Sequence, residues 1–420
     1  MLATAELLTE AAQPGRVVDE LARCAREVAL YQNRIPDLVD FTRLANWPFI
    51  TKSNIRQGFP QNFLGPEKSM DELLEQELIE LEHTSGTSEE RTPLLLPKGW
   101  WVEQELRALR LNPLIAGLVQ DGNTLKRATI NSPVCSGDIR YQGVPSMEER
   151  TLGNSLFVSL SRYPFLWGKH DLERIASEII DWNPDFLDVD PVYGVVFALY
   201  CEREGLRLPN LKFIICSYEF VSVLHRSILN RVFGVPVLDL YGSTETGHLL
   251  MEDDVGRMRP SLETAFLEVL DRDAEGIGNL VVTTLTNEFM PLIRYRIGDL
   301  VERSETPYGS RFVLHGRTAD AFKISEQKRI TTRHVDQCFS GCDAVMHYQL
   351  IQGADGKWLL KFIPQQPNPY QAQLEKVQKR LSILLESTEP VVLQQTDMLV
   401  PESSGKFRLG YPRRTVESPA

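Results

Sequence analysis

The side chains best suited to do chemistry stand together at residues 237–247, VLDLYGSTETG. An apolar run of strand character (Val237, Leu238, Leu240) meets a glycine, and two hydroxyls, Ser243 and Thr244, stand directly before a carboxylate, Glu245. At the C-terminal edge of a buried strand these groups suit a nucleotide and its metal. Gly242 permits close approach of a ligand to the backbone, Tyr241 offers a flat face to a base, Thr244 can bond a phosphate oxygen, and Glu245 is a hard oxygen ligand for Mg²⁺. A strand, a polar turn and a helix cap would carry the same residues, so the pattern gains weight only from company elsewhere. Residues 83–88, HTSGTS, supply some: Thr84, Ser85, Gly86, Thr87 and Ser88 crowd hydroxyls and backbone N–H groups into five positions, a composition that cradles phosphate. No Gly-Lys-Ser/Thr follows, which excludes the P-loop of nucleoside triphosphatases.

Positioning such residues takes several buried strands, and the chain is long enough to provide them. Its 420 residues exceed one core, so two or three domains are expected. The composition, 42% hydrophobic and 24% charged, is that of a globular protein. No apolar run approaches the roughly 18–20 residues of a membrane helix, and the acidic start, MLATAELLTE, lacks the basic and apolar regions of a signal peptide. A cytoplasmic location without a membrane partner is expected. The formal charge of −12 argues against a nucleic-acid surface and leaves small molecules or proteins as partners. The six cysteines show no zinc spacing, and Cys338 with Cys342 reads as a pair of half-buried thiols.

Helical periodicity is expected over residues 3–35, then a short helix capped by Thr51 or Ser53 before Pro60, then a helix from Ser69 to Glu82. Residues 193–204 read as an amphipathic helix, 211–216 as a buried strand, 221–233 as a helix and 235–240 as a strand. That is β-α-β grammar, which places ligands at the carboxyl ends of strands. Residues 264–314 break into β-type runs divided by Gly and Asp turns. Beyond Gly316 the polar stretch GRTADAFKISEQKRI reads as a linker, followed by a strand (WLLKFIP), a helix (370–386) and a strand (PVVLQQT). The expected fold class is α/β: a large N-terminal domain, 1–316, with parallel and mixed sheets plus a β-rich section, and a small mobile α+β domain, 317–420.

Four segments in order, HTSGTS (83–88), YGSTETG (241–247), YRIGDL (295–300) with HGR (315–317), and SGKFR (404–408), resemble the adenylate-forming superfamily of acyl-CoA and aryl-CoA synthetases and peptide-synthetase adenylation domains. GNLVVTTLTNEFMPLIRYRIGDL (278–300), ARCAREVALYQNRIP and WPFITKSNIRQGFP are similar to the phenylacetate-CoA ligase branch, so the resemblance spans essentially the whole chain. It implies an ATP-dependent, AMP-forming ligase: a substrate carboxylate attacks the α-phosphate of ATP, pyrophosphate leaves, and the acyl-AMP gives its acyl group to CoA. Transfer to a carrier protein or an amine is the alternative, and a non-catalytic nucleotide-binding homologue a further one. The resemblance assigns Thr84 to Ser88 to the β- and γ-phosphates, Thr244 to the α-phosphate, Glu245 to Mg²⁺ and Tyr241 to the adenine face, with Gly242 and Ser243 beside it as nucleotide-binding residues. It assigns Asp299 to the ribose hydroxyls, Arg317 to the ribose and the domain junction, and Lys406 to the α-phosphate and attacking carboxylate. The acid pocket is sought in residues 163–170, 216–220 and 247–249, with His170, Tyr218, Gly247 and His248 as candidates. The branch also implies a homodimer.

The chain departs from the family in three places. After Ser88 come Glu89, Glu90 and Arg91 where Thr, Gly, Lys and Pro are usual, and the acids would repel a triphosphate. Two residues past Arg317 stands Ala319 in place of an acidic or lysine hinge, with Asp320 following. The glycine that lets a pantetheine arm pass is missing from Ser325, Glu326, Gln327, Lys328, Arg329, which weakens the expectation of thioester formation relative to adenylation.

Overall fold

A computed structural model describes residues 14–32, 43–84, 91–119, 124–133, 145–307, 309–325, 328–366 and 370–413. The chain divides into two compact units that each draw on two stretches, 1–117 with 240–313 and 118–239 with 314–420.

In the second of these, four strands lie parallel in the order Ser155–Phe157, Arg127–Ile130, Phe186–Val189 and Phe213–Cys216, and the opening residues of Val237–Ser243 extend the array. FLDV and FIIC are buried at every position, as strands covered on both faces must be. Helices Lys169–Trp182, Pro191–Glu204 and Val223–Phe233 alternate with them. Pro191–Glu204 departs from the amphipathic expectation: Val192, Tyr193, Val195, Phe197, Ala198, Tyr200 and Cys201 are all buried, so little of its surface meets water. Asp190 starts it by accepting the Val192 N–H at 3.0 Å, and Gly205, at φ +66°, stops it.

The stretch after Gly316 is structured, contrary to the expected linker. A 3-10 turn, Thr318–Asp320, leads into an antiparallel pair, Phe322–Lys323 with Arg329–Ile330, and Phe322 is fully buried. A four-stranded sheet follows in the order Val392–Gln395, Trp358–Pro364, Val345–Gln352, Gly410–Tyr411, with helix Gln371–Leu384 turning Leu374, Val377 and Leu381 inward. Val345–Gln352 escapes the periodicity because His347 and Gln349 dilute its apolar signal, although both are buried.

The first unit is antiparallel in the order Ala265–Leu270, Ile277–Thr284, Tyr295–Thr306, Gly309–Arg317, Met258–Pro260, Gly247–Glu252, ending on the last residues of Val237–Ser243. The expected β-type runs over 264–314 are all strands. The helix expected over 69–82 is shorter: Met70–Glu75 ends before Glu77, which takes φ +53°, and Ile79–His83 pairs with Pro93–Pro97. IELEH alternates with period two, and that alternation outweighs its glutamates' helical preference. The helix expected over 3–35 is Pro14–Glu27 followed by Ala29–Gln32, with residues 1–13 and 33–42 outside the described set. Val17, Leu21, Cys24 and Tyr31 from that arm join Trp47, Ile50, Leu94, Leu95, Trp100, Ile293 and Tyr295 in one core. Thr51 is the N-cap of Lys52–Arg56.

Candidate active site

In the first unit, Val237–Ser243 ends at Tyr241, Gly242 and Ser243, and residues 244–246 turn the chain back into Gly247–Glu252. Only glycine fits at 242: a Cβ there would lie 2.2 Å from the Gly247 carbonyl oxygen. Gly247 takes φ +73°, and a Cβ on it would come within 3.0 Å of both Gln104 Cγ and Trp100 Cη2. The turn is tied across itself by the Ser243 and Thr246 hydroxyls at 2.9 Å, with Thr244 half-buried at its tip.

Tyr241 and Asp299 are 58 residues apart in sequence, yet the tyrosine hydroxyl donates to Asp299 Oδ2 at 2.6 Å. Asp299 reaches that point on strand Tyr295–Thr306, whose start is fixed by Arg294. The Arg294 guanidinium binds both oxygens of buried Glu268 at 3.1 Å and donates to the carbonyls of Ala45 and Trp47. Such a two-pronged pair sets orientation as well as contact.

Glu245 is buried. Its Oε1 accepts from the Tyr295 hydroxyl at 2.9 Å and lies 3.1 Å from Lys52 Nζ. Burial pushes its carboxyl up, but the Lys52 charge, its own backbone N–H and the Ser243 hydroxyl outweigh that and hold it below the usual glutamate value. An ionised carboxylate therefore waits at the turn. Among the described residues no cluster of three or more His, Cys, Asp or Glu is placed to hold a metal. A single carboxylate is nevertheless what Mg²⁺ asks of a protein when phosphates supply the other oxygens, so Glu245 fits a magnesium–nucleotide pair. His248 is buried with its ring 4.8 Å from that of Trp101. Thr84 is buried and exchanges bonds with Thr92: its N–H donates to the Thr92 carbonyl at 3.0 Å, and its Oγ1 accepts the Thr92 N–H at 3.2 Å. Ser85, Gly86, Thr87 and Ser88 lie outside the described residues, as do Glu89, Glu90, Glu326 and Gln327.

The second unit holds the remaining candidates. Lys406 is half-buried in a turn in which the Gly405 N–H donates to the Glu402 carbonyl and the Glu402 N–H to the Lys406 carbonyl, each at 2.8 Å. Arg317 is exposed, and next to it Asp320 binds the Arg408 guanidinium at 2.5 Å while the Ala319 carbonyl accepts from Arg408 at 2.8 Å. Tyr218 takes φ +72° and donates to Asp188 Oδ2 at 3.0 Å. His170 is exposed in the first turn of Lys169–Trp182. Within 163–170 the Phe165 and Trp167 rings turn inward, 5.3 Å from that of Phe407 and 5.7 Å from that of Tyr193, whereas Leu166 is exposed. Cys338 and Cys342 are buried free thiols whose pKa values burial raises. Sequence reading missed Lys52, which looks like a surface residue of a five-residue helix, and Tyr295, which looks like strand core.

No family model matches the chain. Among curated proteins, the phenylacetate-coenzyme A ligase of Pseudomonas putida is 25% identical over 310 residues, covering 65% of this chain and 62% of that protein. The phenylacetate-coenzyme A ligase of Thermus thermophilus is 28% identical over 205 residues, covering 44% of this chain and 45% of that protein. The chain thus matches less than two thirds of the length of either. A crystal structure of 2-hydroxyisobutyryl-CoA ligase in the postadenylation state, in complex with R3-HIB-AMP, shares the fold with a TM-score of 0.67 over 98% of this chain and 90% of that one, at 15% identity. The chain therefore shares the fold of that CoA ligase. In sequence it is similar to phenylacetate-coenzyme A ligases. No helix among the described residues is long and apolar enough to cross a membrane.

Proposed function

We propose that the chain joins ATP to a carboxylic acid with release of pyrophosphate, and passes the acyl group of the resulting adenylate to coenzyme A. The observation that carries this reading is the Tyr241–Asp299 pair at 2.6 Å, which puts a flat aromatic face and a carboxylate side by side at the end of one strand. An adenine on the tyrosine would bring its ribose hydroxyls to Asp299, which can accept from both. A substrate carboxylate oxygen attacks the α-phosphorus, the bond from that phosphorus to the bridging oxygen of pyrophosphate breaks, and the acyl-AMP stays bound. Thr244 donates to the α-phosphate, and Lys406 spans the two anions that repel as they meet, so catalysis is positioning and charge stabilisation. Glu245 would hold Mg²⁺, which when bound neutralises charge on the phosphates.

The curated relatives favour coenzyme A as acceptor and an aryl acid as the first substrate to try. The thiol sulfur attacks the acyl carbon, the C–O bond to AMP breaks, and the thiol proton passes to solvent. The functional division is 1–316 for the substrates and 317–420 for the piece that delivers Lys406. Acid-dependent exchange of labelled pyrophosphate into ATP, run over aryl and short-chain acids with and without coenzyme A, tests both halves. Exchange with one acid class and thioester formation on adding coenzyme A are expected. Exchange without thioester would transfer the second half to a carrier protein or an amine, and no exchange with any acid would refute the proposal.

A further inference from the structure

The 402–407 turn of the second unit is fastened on every side. The Tyr193 hydroxyl lies 3.1 Å from the Gly405 carbonyl and 2.8 Å from that of Arg162. Gly405 fits so closely that a Cβ would come within 1.9 Å of Ser132 Oγ. The Phe407 N–H donates to Glu219 Oε1, and the Phe407 ring packs 5.3 Å from Phe165 and 5.4 Å from His347. Lys406 therefore stands between one residue tied to helix Pro191–Glu204 and another tied to Glu219.

Asp190 opens that helix and is fully buried. Its Oδ1 accepts the Val192 N–H at 3.0 Å, the Tyr193 N–H also bonds the carboxylate, and among the described residues its Oδ2 has no partner within ordinary hydrogen-bond geometry. A neutral Ser or Asn would cap the same helix without burying a charge, so a cap alone does not explain why an acid stands here. Burial pushes the Asp190 carboxyl up to about 7, with the Lys406 charge pulling it back. Burial and the Asp190 charge push Glu219 up, against the pull of the Phe407 N–H, Lys406 and Arg317. Glu402, half-buried nearby, also feels Lys406 and Arg317. Both buried acids thus flank the backbone that carries Lys406: Glu219 holds the Phe407 N–H, and Asp190 caps the helix whose Tyr193 hydroxyl meets the Gly405 carbonyl.

We propose that Asp190 and Glu219 form a paired-carboxyl seat that positions the Lys406 ammonium for adenylate formation. This rests on the reading of Lys406 given above. Asp190→Asn is the discriminating variant, because asparagine keeps the Oδ1 cap while removing the charge from Oδ2; Glu219→Gln likewise keeps an acceptor for the Phe407 N–H. Two readouts are taken on the full chain: acid-dependent pyrophosphate exchange, and the acetylation rate of Lys406 by acetic anhydride relative to the other lysines, followed by mass spectrometry. Both variants are expected to melt within a few degrees of the parent, to lower the exchange kcat about tenfold with KM for ATP changed less than about twofold, and to raise Lys406 acetylation about threefold or more. Unchanged acetylation in both variants would overturn the seat, whatever happens to activity. Raised acetylation with unchanged exchange, in a chain that Lys406→Ala inactivates, would overturn its positioning role. If Lys406→Ala itself leaves exchange unchanged, the reading of Lys406 fails, and the positioning role with it, while acetylation still decides whether the seat exists.

Discussion

Replacing Lys52 by methionine isolates the electrostatics of the strand-end carboxylate. Lys52 Nζ lies 3.1 Å from Glu245 Oε1, which at an effective dielectric constant of about 20 corresponds to a gross attraction of about 5 kcal/mol. The glutamate side chain is 5% exposed and the lysine 39%, so solvent screens the lysine's half of the pair. Exposed pairs are worth about 0.2–1 kcal/mol and breaking buried ones costs about 3–5 kcal/mol; this mixed case should cost about 1–2 kcal/mol near pH 8. For a domain of this size that lowers the melting temperature by about 2–8 °C.

The pH dependence carries the diagnostic sign. The folded protein holds the Glu245 carboxyl below its ordinary value, so its stabilising contribution is present above the unfolded value and is lost as pH falls through the folded one. Without Lys52, burial dominates and raises the carboxyl. The variant then takes up a proton on moving from pH 8 towards 5 and escapes the cost of a buried, poorly compensated charge. Differential scanning fluorimetry of parent and Lys52→Met across that range should show a gap that is widest at pH 8 and narrows towards pH 5. A gap that stays constant, or widens towards acid, would refute the reasoning.

Two further outcomes follow from the same strand end. Tyr241→Phe removes the 2.6 Å donor to half-buried Asp299 and should raise KM for ATP about tenfold in pyrophosphate exchange, at the low end for a hydrogen bond to a charged group; a change under twofold would dissociate the pair from nucleotide binding. Gly247→Ala places a Cβ at φ +73° against Trp100 and Gln104, so the melting temperature should fall by about 2–12 °C and KM for the acid should rise more than KM for ATP. An unaltered acid KM would place the acid elsewhere.

The parts of this molecule that a linear reading reached are those governed by local rules. The parallel strands and their helices follow from buried apolar runs, the β-rich segment from its turn residues, and the Tyr241–Gly247 turn from a glycine between a strand and hydroxyls. What it did not reach depends on partners distant in sequence. Lys52 acquires its importance from Glu245, and Tyr295 gives its hydroxyl to the same carboxylate. Asp190 carries no signal of its own in the sequence, and only Tyr193, Gly405 and Phe407 together bring it into relation with Lys406. Strand Ile79–His83 was hidden because glutamates that favour a helix alternate with apolar residues that favour a sheet. The stretch from Gly316 reads as a linker because its buried apolar side chains among the described residues, Phe322 and Ile330, are few and set among polar and charged residues.

Calorimetric titration of AMP into the parent and into Asp299→Asn tests most directly whether the Tyr241–Asp299 pair is a nucleoside site. Saturable binding by the parent, weakened about tenfold or more by Asp299→Asn with the melting temperature of the apo protein preserved, is the expected result. Equal binding by both proteins, or no binding of AMP or ATP by the parent, would contradict it.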